Sequence, residues 1–265
     1  MGGPIHGRRW AHARYCDAAE AEIAAFAAAV READPAAPVP TCPGWSVADL
    51  VLHLGRTHRW AHALVDRLSP GNLRHRDIDM DFPADRRDPA GYLPWFDAGA
   101  AALLGALRRA DPQAVMWSWG ADRRVRYWSR RMLHETAVHR CDAEFAAGRD
   151  PVLDEEVAED AVDELLDNLP YAASWAPHVE RLRGAGETIA LVSSGTGTRW
   201  LIRLEPGGFS WSRTAEEETK ATASVRGTAS DVDLFLWGRR KLGDPRLEFA
   251  GEDALLIHWV ENSAI

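Results

Sequence analysis

The sequence predicts a two-domain α+β protein: a four-helix bundle over residues 1–180, then a small α+β domain over 186–265. Three observations lead there. Apolar residues recur at helical spacing through the first two thirds of the chain. From about residue 186 the pattern changes to period two, with Gly-rich turns between short apolar runs. Between them lies Leu182-Arg-Gly-Ala-Gly-Glu187, a stretch with neither pattern.

The elements follow in order. Ala18 to Val30 is rich in Ala and Glu, and Ile23, Phe26 and Val30 share one helical face. Pro38-Val-Pro-Thr-Cys-Pro-Gly44 ends that helix. Ser46 followed by Asp49 is a start signal for a second helix, with Val47, Leu50, Val51 and Leu54 on its buried face. Residues 69–89, rich in Pro, Asp and Arg, form a long connection suited to a pocket lid. Tyr92 to Arg109 is a third helix, with Pro94 in its first turn. Trp117-Ser-Trp-Gly120 is a turn, and Tyr127 to Ala147 a fourth helix that Gly148 terminates. Asp154 to Leu169 is an acidic fifth helix whose charges are assigned to a solvated face. In the second domain, strands are expected at Thr188–Val192, Trp200–Leu204, Gly208–Trp211, Ala221–Val225 and Leu247–Phe249. Helices are expected at Ser230–Trp237 and Glu252–Val260. Gly195-Thr-Gly-Thr198 is a hairpin turn and not a phosphate loop, because no helix follows it.

Composition excludes several functions. The 265 residues carry a net charge of −9 and no long basic run, which argues against nucleic-acid binding. No apolar run approaches the roughly 18–20 residues of a membrane span, and no signal peptide opens the chain. Cys16, Cys42 and Cys141 are too few and too scattered for a disulfide framework, so a reducing cytoplasm is the expected compartment. Only Lys220 and Lys241 are lysines among 31 basic residues, a bias that high-G+C coding produces.

The chemistry-bearing residues are His53, Glu135 and His139. Glu135 and His139 stand four apart on the fourth helix, which puts them on one face one turn apart. An exposed solvated pair has the same spacing. With His53 from the second helix they make two imidazoles and one carboxylate, a set that suits a catalytic zinc with an open fourth position. Asp142 lies on the same stripe and either orients a ligand imidazole or pairs with a surface Arg. Arg131, one turn before Glu135, either holds a substrate carboxylate or pairs with Glu135. His134 points about 100° from the stripe and is assigned to packing. His58 and His62, one turn apart on the second helix, are assigned to packing or to its polar face. Cys42 is a nucleophile without an evident base.

Three blocks resemble the mycothiol-dependent maleylpyruvate isomerase family, a branch of the DinB-like metal-binding helical bundles. They are Val39-Pro-Thr-Cys-Pro-Gly-Trp-Ser-Val-Ala-Asp-Leu-Val-Leu-His53, then Arg131-Met-Leu-His-Glu-Thr-Ala-Val-His-Arg-Cys-Asp142, and Gly227-Thr-Ala-Ser-Asp-Val-Asp-Leu-Phe-Leu-Trp-Gly-Arg239 with Asp244-Pro-Arg-Leu-Glu-Phe-Ala-Gly251. The resemblance runs through nearly the whole chain in one order. It implies a DinB-like bundle with His53, Glu135 and His139 as zinc ligands. It also implies a thiol cosubstrate, mycothiol, and an Arg of the second domain, here Arg239, acting at the active site. An exposed cation at a helix end is the alternative for Arg239. Cys141 departs from the Trp common in the family. An actinobacterial source agrees with the coding bias.

The resulting expectation is a zinc-dependent thiol S-transferase or thiol-assisted isomerase. One carboxylate leaves the ion a formal charge of about +1, enough to favour the thiolate of a thiol bound at the open position. The partners are then a low-molecular-weight thiol and a small electrophile, with the protein a monomer or weak dimer. The competing class is a non-catalytic zinc-containing protein that sequesters a thiol conjugate or an antibiotic.

Overall fold

The computed structural model describes residues 10–214 and 220–265. These form two compact units, Trp10–Ser118 with Asp122–Pro151, and Val152–Ile265 with Trp119–Ala121.

The first unit is a bundle of four helices: α1 (His12–Glu32), α2 (Val47–Asp66), α3 (Pro89–Arg109) and α4 (Val125–Ala146). Helix α2 starts where the sequence signals it. Ser46 Oγ accepts from Asp49 N at 3.2 Å, and Asp49 Oδ2 accepts from Ser46 N at 3.0 Å, a reciprocal cap in which Asp takes the usual Glu position. Gly148 follows the end of α4 at φ +70°, as a left-handed helix stop requires. Gly55 marks a close approach of α2 to α3, since a methyl group there would stand 2.3 Å from Trp95 Cζ3. Helix α3 begins three residues before its expected start, capped by Asp88, so Pro94 falls in the second turn and not the first. Its missing N–H deprives the Ala90 carbonyl of the helical donor.

The α2–α3 connection contains a single 3-10 turn at His75–Asp77. It is tied down by two indoles: Trp60 Nε1 donates to the Leu73 carbonyl at 2.8 Å, and Trp95 Nε1 to the Met80 carbonyl at 2.8 Å. Buried apolar side chains from all four helices, among them Phe26, Leu50, Leu54, Phe96, Leu103 and Trp128, fill the bundle. His58 is also fully buried there. Thr136 gives its one hydroxyl proton to the Met132 carbonyl, so it must accept from His58 Nε2, 3.0 Å away. His58 Nδ1 then stands without a hydrogen-bond partner, with the Phe96 ring centroid 5.5 Å from the imidazole. Burial pushes the His58 pKa down to about 3, so the ring is neutral.

The second unit holds a five-stranded sheet in the order β3-β2-β1-β4-β5, with β1 (Thr188–Ser193), β2 (Arg199–Glu205), β3 (Gly208–Thr214), β4 (Ala223–Gly227) and β5 (Glu248–Gly251). Central β1 and β4 run parallel, and every other neighbouring pair is antiparallel. Alternation places Trp200, Ile202 and Leu204 of β2 in the core. Helices α5 (Glu155–Asn168), α6 (Ala229–Leu236) and α7 (Asp253–Ser263) supply Val162, Leu165, Val232, Phe235, Leu256 and Trp259 to the same core.

Helix α5 corrects one expectation. Its acidic residues do not simply face solvent: Asp160, Asp163 and Glu164 are buried. The reason is a specific set of partners. Asp163 accepts from Trp200 Nε1 at 2.7 Å and from Arg213 of β3 at 2.8 Å, while Asn168 Nδ2 donates to Glu164 at 3.0 Å. Asp163 thus binds the helix to the sheet, whereas the Glu164 bond lies within α5 itself, and α5 belongs to the compact unit that contains the sheet. None of the described helices is long and apolar enough to cross a membrane. All three cysteines are free thiols.

Two consequences are measurable. Asp163→Ala takes the acceptor from the buried Trp200 N–H and leaves Arg213 paired with Glu159, and is expected to cost about 2 kcal/mol in denaturant unfolding; a loss below about 1 kcal/mol would contradict the anchoring role. His58 gives a pH dependence with a definite sign. Its folded pKa lies below the ordinary histidine value, so between about 6.5 and about 3 the unfolded chain binds the extra proton and stability falls as pH falls. Going from pH 7 to pH 5, this group removes about 2 kcal/mol. The neutral variant His58→Gln is expected to lose that increment in unfolding curves at the two pH values.

Candidate metal centre

Helices α2 and α4 bring His53, Glu135 and His139 together. One ligand atom from each lies within 4.8 Å of the other two. His53 Nε2 is 3.2 Å from Glu135 Oε1, and His139 Nε2 is 3.5 Å from the same oxygen. The two imidazoles meet edge to face with centroids 4.8 Å apart. Both Nε2 atoms therefore point at one carboxylate oxygen. The group is open on one side, because the His53 and Glu135 side chains are 26% and 20% exposed while His139 is nearly covered.

Two of the three candidate ligands, His139 and Glu135, are oriented by a further neighbour. His139 Nδ1 is 2.8 Å from Oδ2 of the fully buried Asp142, which fixes the proton on Nδ1 and leaves Nε2 as the electron-pair donor. Arg131, on α4 one turn before Glu135, donates to Glu135 Oε2 at 3.1 Å. Its side chain is buried, so of its two expected roles the structure displays the pairing with Glu135. Trp45 lies beside both imidazoles, its ring centroid 4.8 Å from His53 and 6.3 Å from His139, and makes an apolar wall.

The electrostatics suit a cation. Withdrawal from water pushes Glu135 toward protonation. The hydrogen bonds with His139 and His53 and the Arg131 charge outweigh this and hold its carboxyl well below the usual carboxylate range. Burial likewise disfavours charge on His139, but its bonds to Asp142, Cys42 and Glu135 raise it well above the ordinary histidine value. Without an ion, the proton held by His139 offsets the neighbouring carboxylates. A divalent cation would take over that task and displace a proton. Two nitrogen donors and one carboxylate oxygen, an open side and a carboxylate behind one imidazole are the donor chemistry of a zinc site that keeps a free position.

The remaining candidates fall outside this group. His134 is buried on another face of α4, and His58 is held by Thr136. His62 is partly buried nine residues along α2 from His53. Arg239 lies in the second unit just after α6, where its Nη1 donates to the Trp237 carbonyl at 2.8 Å. Three residues gain a place that sequence spacing did not assign. Thr41 and Cys42, in the loop before α2, both contact Asp142. Arg56, one turn beyond His53, is exposed and has no ion pair among the described residues. Thr41 and Cys42 carry no periodic signal, and their contact with α4 exists only in three dimensions.

A four-helix bundle carrying a candidate three-residue metal group, followed in the chain by an α+β domain, defines the class of protein. The mycothiol maleylpyruvate isomerase N-terminal domain matches residues 16–144, and the corresponding C-terminal domain matches residues 156–258. The chain belongs to the mycothiol-dependent maleylpyruvate isomerase family, a family of enzymes. Among solved structures, it is similar in fold to mycothiol-dependent maleylpyruvate isomerase, at 14% identity and a TM-score of 0.60, over 92% of this chain and 95% of that one. A histidine-to-alanine variant of that isomerase matches over the same shares, at 13% identity and a TM-score of 0.60. No curated protein matches the sequence.

The purified protein is expected to hold about one zinc per chain, the stoichiometry of a single three-ligand group. His53→Ala, Glu135→Ala and His139→Ala should each lower metal content strongly while the bundle stays folded. Elemental analysis showing full zinc in all three variants would remove the site.

Proposed function

We propose that the chain is a zinc-dependent enzyme that uses a low-molecular-weight thiol, mycothiol, against a small electrophile, as a thiol-assisted isomerase or an S-transferase. The observation that carries this reading is the convergence of His53, Glu135 and His139 on one open position, with Asp142 behind His139. Zinc held by these three residues would lower the pKa of a thiol taken up at the open position and keep it as thiolate near neutral pH.

The chain's own residues supply the rest. His53, Glu135 and His139 hold the ion, Arg131 steadies Glu135, and Asp142 steadies His139. Arg131 and Asp142 are therefore positioning residues in this proposal. Trp45 keeps water from one side of the reacting sulfur. Arg56 offers its unpaired guanidinium to an acidic group of the electrophile, one helical turn from His53. Arg239 is assigned a further contact with substrate on the family resemblance alone. The sulfur lone pair adds to a carbon–carbon double bond conjugated to a carbonyl, and the displaced π electrons move onto the carbonyl oxygen. Rotation about the new single bond, followed by expulsion of the thiolate, returns the double bond in the other geometry with no net proton change. Protonation of the adduct in place of expulsion gives the S-transfer product. The name of the similar solved enzyme, a maleylpyruvate isomerase, favours the first outcome and an anionic, unsaturated electrophile.

Thiol binding to the zinc-loaded protein should release close to one proton near neutral pH, if the free thiol is protonated and displaces water. Calorimetry in buffers of different ionisation enthalpy measures that count. A panel of thiols should rank mycothiol above glutathione, because the zinc–sulfur bond is common to both and only contacts with the rest of the molecule differ. A folded, zinc-loaded protein that binds none of the thiols would end the enzymatic reading and favour a sequestering role.

A further inference from the structure

Asp142 is a fully buried carboxylate, and such a group persists in ionised form only when donors surround it. Its donors come from two places. Oδ2 accepts from His139 Nδ1 at 2.8 Å and from the Cys42 thiol at 3.4 Å. Oδ1 accepts from the Thr41 hydroxyl at 2.5 Å. His139 lies on the same helix as Asp142. Thr41 and Cys42 lie a hundred residues earlier in the chain, in the loop that leads into α2.

That loop is built to be stiff. Val39 N donates to the Trp45 carbonyl at 2.9 Å, Cys42 N to the Val39 carbonyl at 3.0 Å, and Trp45 N to the Cys42 carbonyl at 3.0 Å. Pro38 and Ser46 form a bridge across its base, and Gly44 takes a left-handed φ of +86° that closes the turn. Ser46 is also the cap of α2, the helix that carries His53. One short loop therefore fixes the start of the His53 helix and places two donors on the carboxylate that orients His139.

We infer that Thr41 and Cys42 are positioning residues of the metal centre: together they hold the Asp142 carboxylate in the plane that keeps the proton on His139 Nδ1 and turns Nε2 toward Glu135. This rests on reading His53, Glu135 and His139 as the metal ligands. Loss of Thr41 takes a donor from Oδ1 and lets the carboxylate turn about its last bond, and loss of Cys42 removes the contact that ties Oδ2 to the loop. The imidazole then loses a fixed orientation, and the ion loses a preformed ligand. Cys42 acts here as a weak S–H donor to a buried acceptor and not as the attacking thiol.

The test is zinc affinity, measured on the full chain by competition with a chromogenic chelator. Thr41→Val and Cys42→Ala are each expected to weaken zinc binding about ten-fold. The melting temperature of the metal-free protein should barely move, since the loop keeps its backbone bonds. Thr41→Ser and Cys42→Ser restore a hydroxyl donor at the same position and should restore affinity, which a merely structural role would not predict. Unchanged affinity in both Thr41→Val and Cys42→Ala, with wild-type protein binding zinc, would overturn this inference alone. Wild-type protein that binds no zinc would overturn it together with the metal reading. Cobalt-loaded protein gives a separate check. A thiolate-to-metal absorption band that Cys42→Ser abolishes would make Cys42 a ligand and overturn the positioning role, whereas a spectrum unaffected by that change supports it.

Discussion

The structure of the bundle turns on a charge that has to be balanced in a half-dry place. Glu135 presents one carboxylate oxygen to two imidazoles and the other to a guanidinium. A carboxylate so placed is costly unless its neighbours repay the lost hydration. Those neighbours come from two helices, so the α2–α4 pairing and the electrostatics of Glu135 are one problem. The solution also constrains what lies outside the group. His139 can serve Glu135 with Nε2 only because Asp142 occupies Nδ1. Asp142 can be buried only because donors reach it.

Much of this was legible in the sequence because it is local. Ser46 and Asp49 mark the start of α2 by their own hydrogen bonds, and the Glu135–His139 spacing reports a shared face without any tertiary information. The β-strands follow from alternation, and each expected strand is present with its ends shifted by a few residues. Pro94 shows the limit of such reading. Its position in the helix depends on where Asp88 caps the chain, and a Pro in the second turn is tolerated when the surrounding helix is held by packing.

What was not legible depends on partners distant in sequence. The acidic face of α5 reads as solvated because seven carboxylates in one helix have no cation nearby in the chain. Arg213 and Trp200, on β3 and β2, change that once the sheet forms. Thr41 and Cys42 likewise look like turn residues between two prolines until α4 is beside them. In both cases the missing information was a buried carboxylate in search of donors, and the composition of its own helix gives no hint of who they are.

The connection between α2 and α3 has a consequence for how such a scaffold diversifies. It is held by an indole at Leu73 and another at Met80, and both tryptophans belong to helices. The anchors grip backbone carbonyls, which every residue possesses, so they place little demand on the identity of the residues they hold. Lengthening a surface loop is also cheap, since each doubling costs only about 0.6 kcal/mol of closure entropy. Side chains in this segment can therefore be exchanged, and residues added between the anchor points, while the helices carrying His53, Glu135 and His139 keep their register. Sequence change in the segment is thereby separated from the two hydrogen bonds that hold it to the bundle.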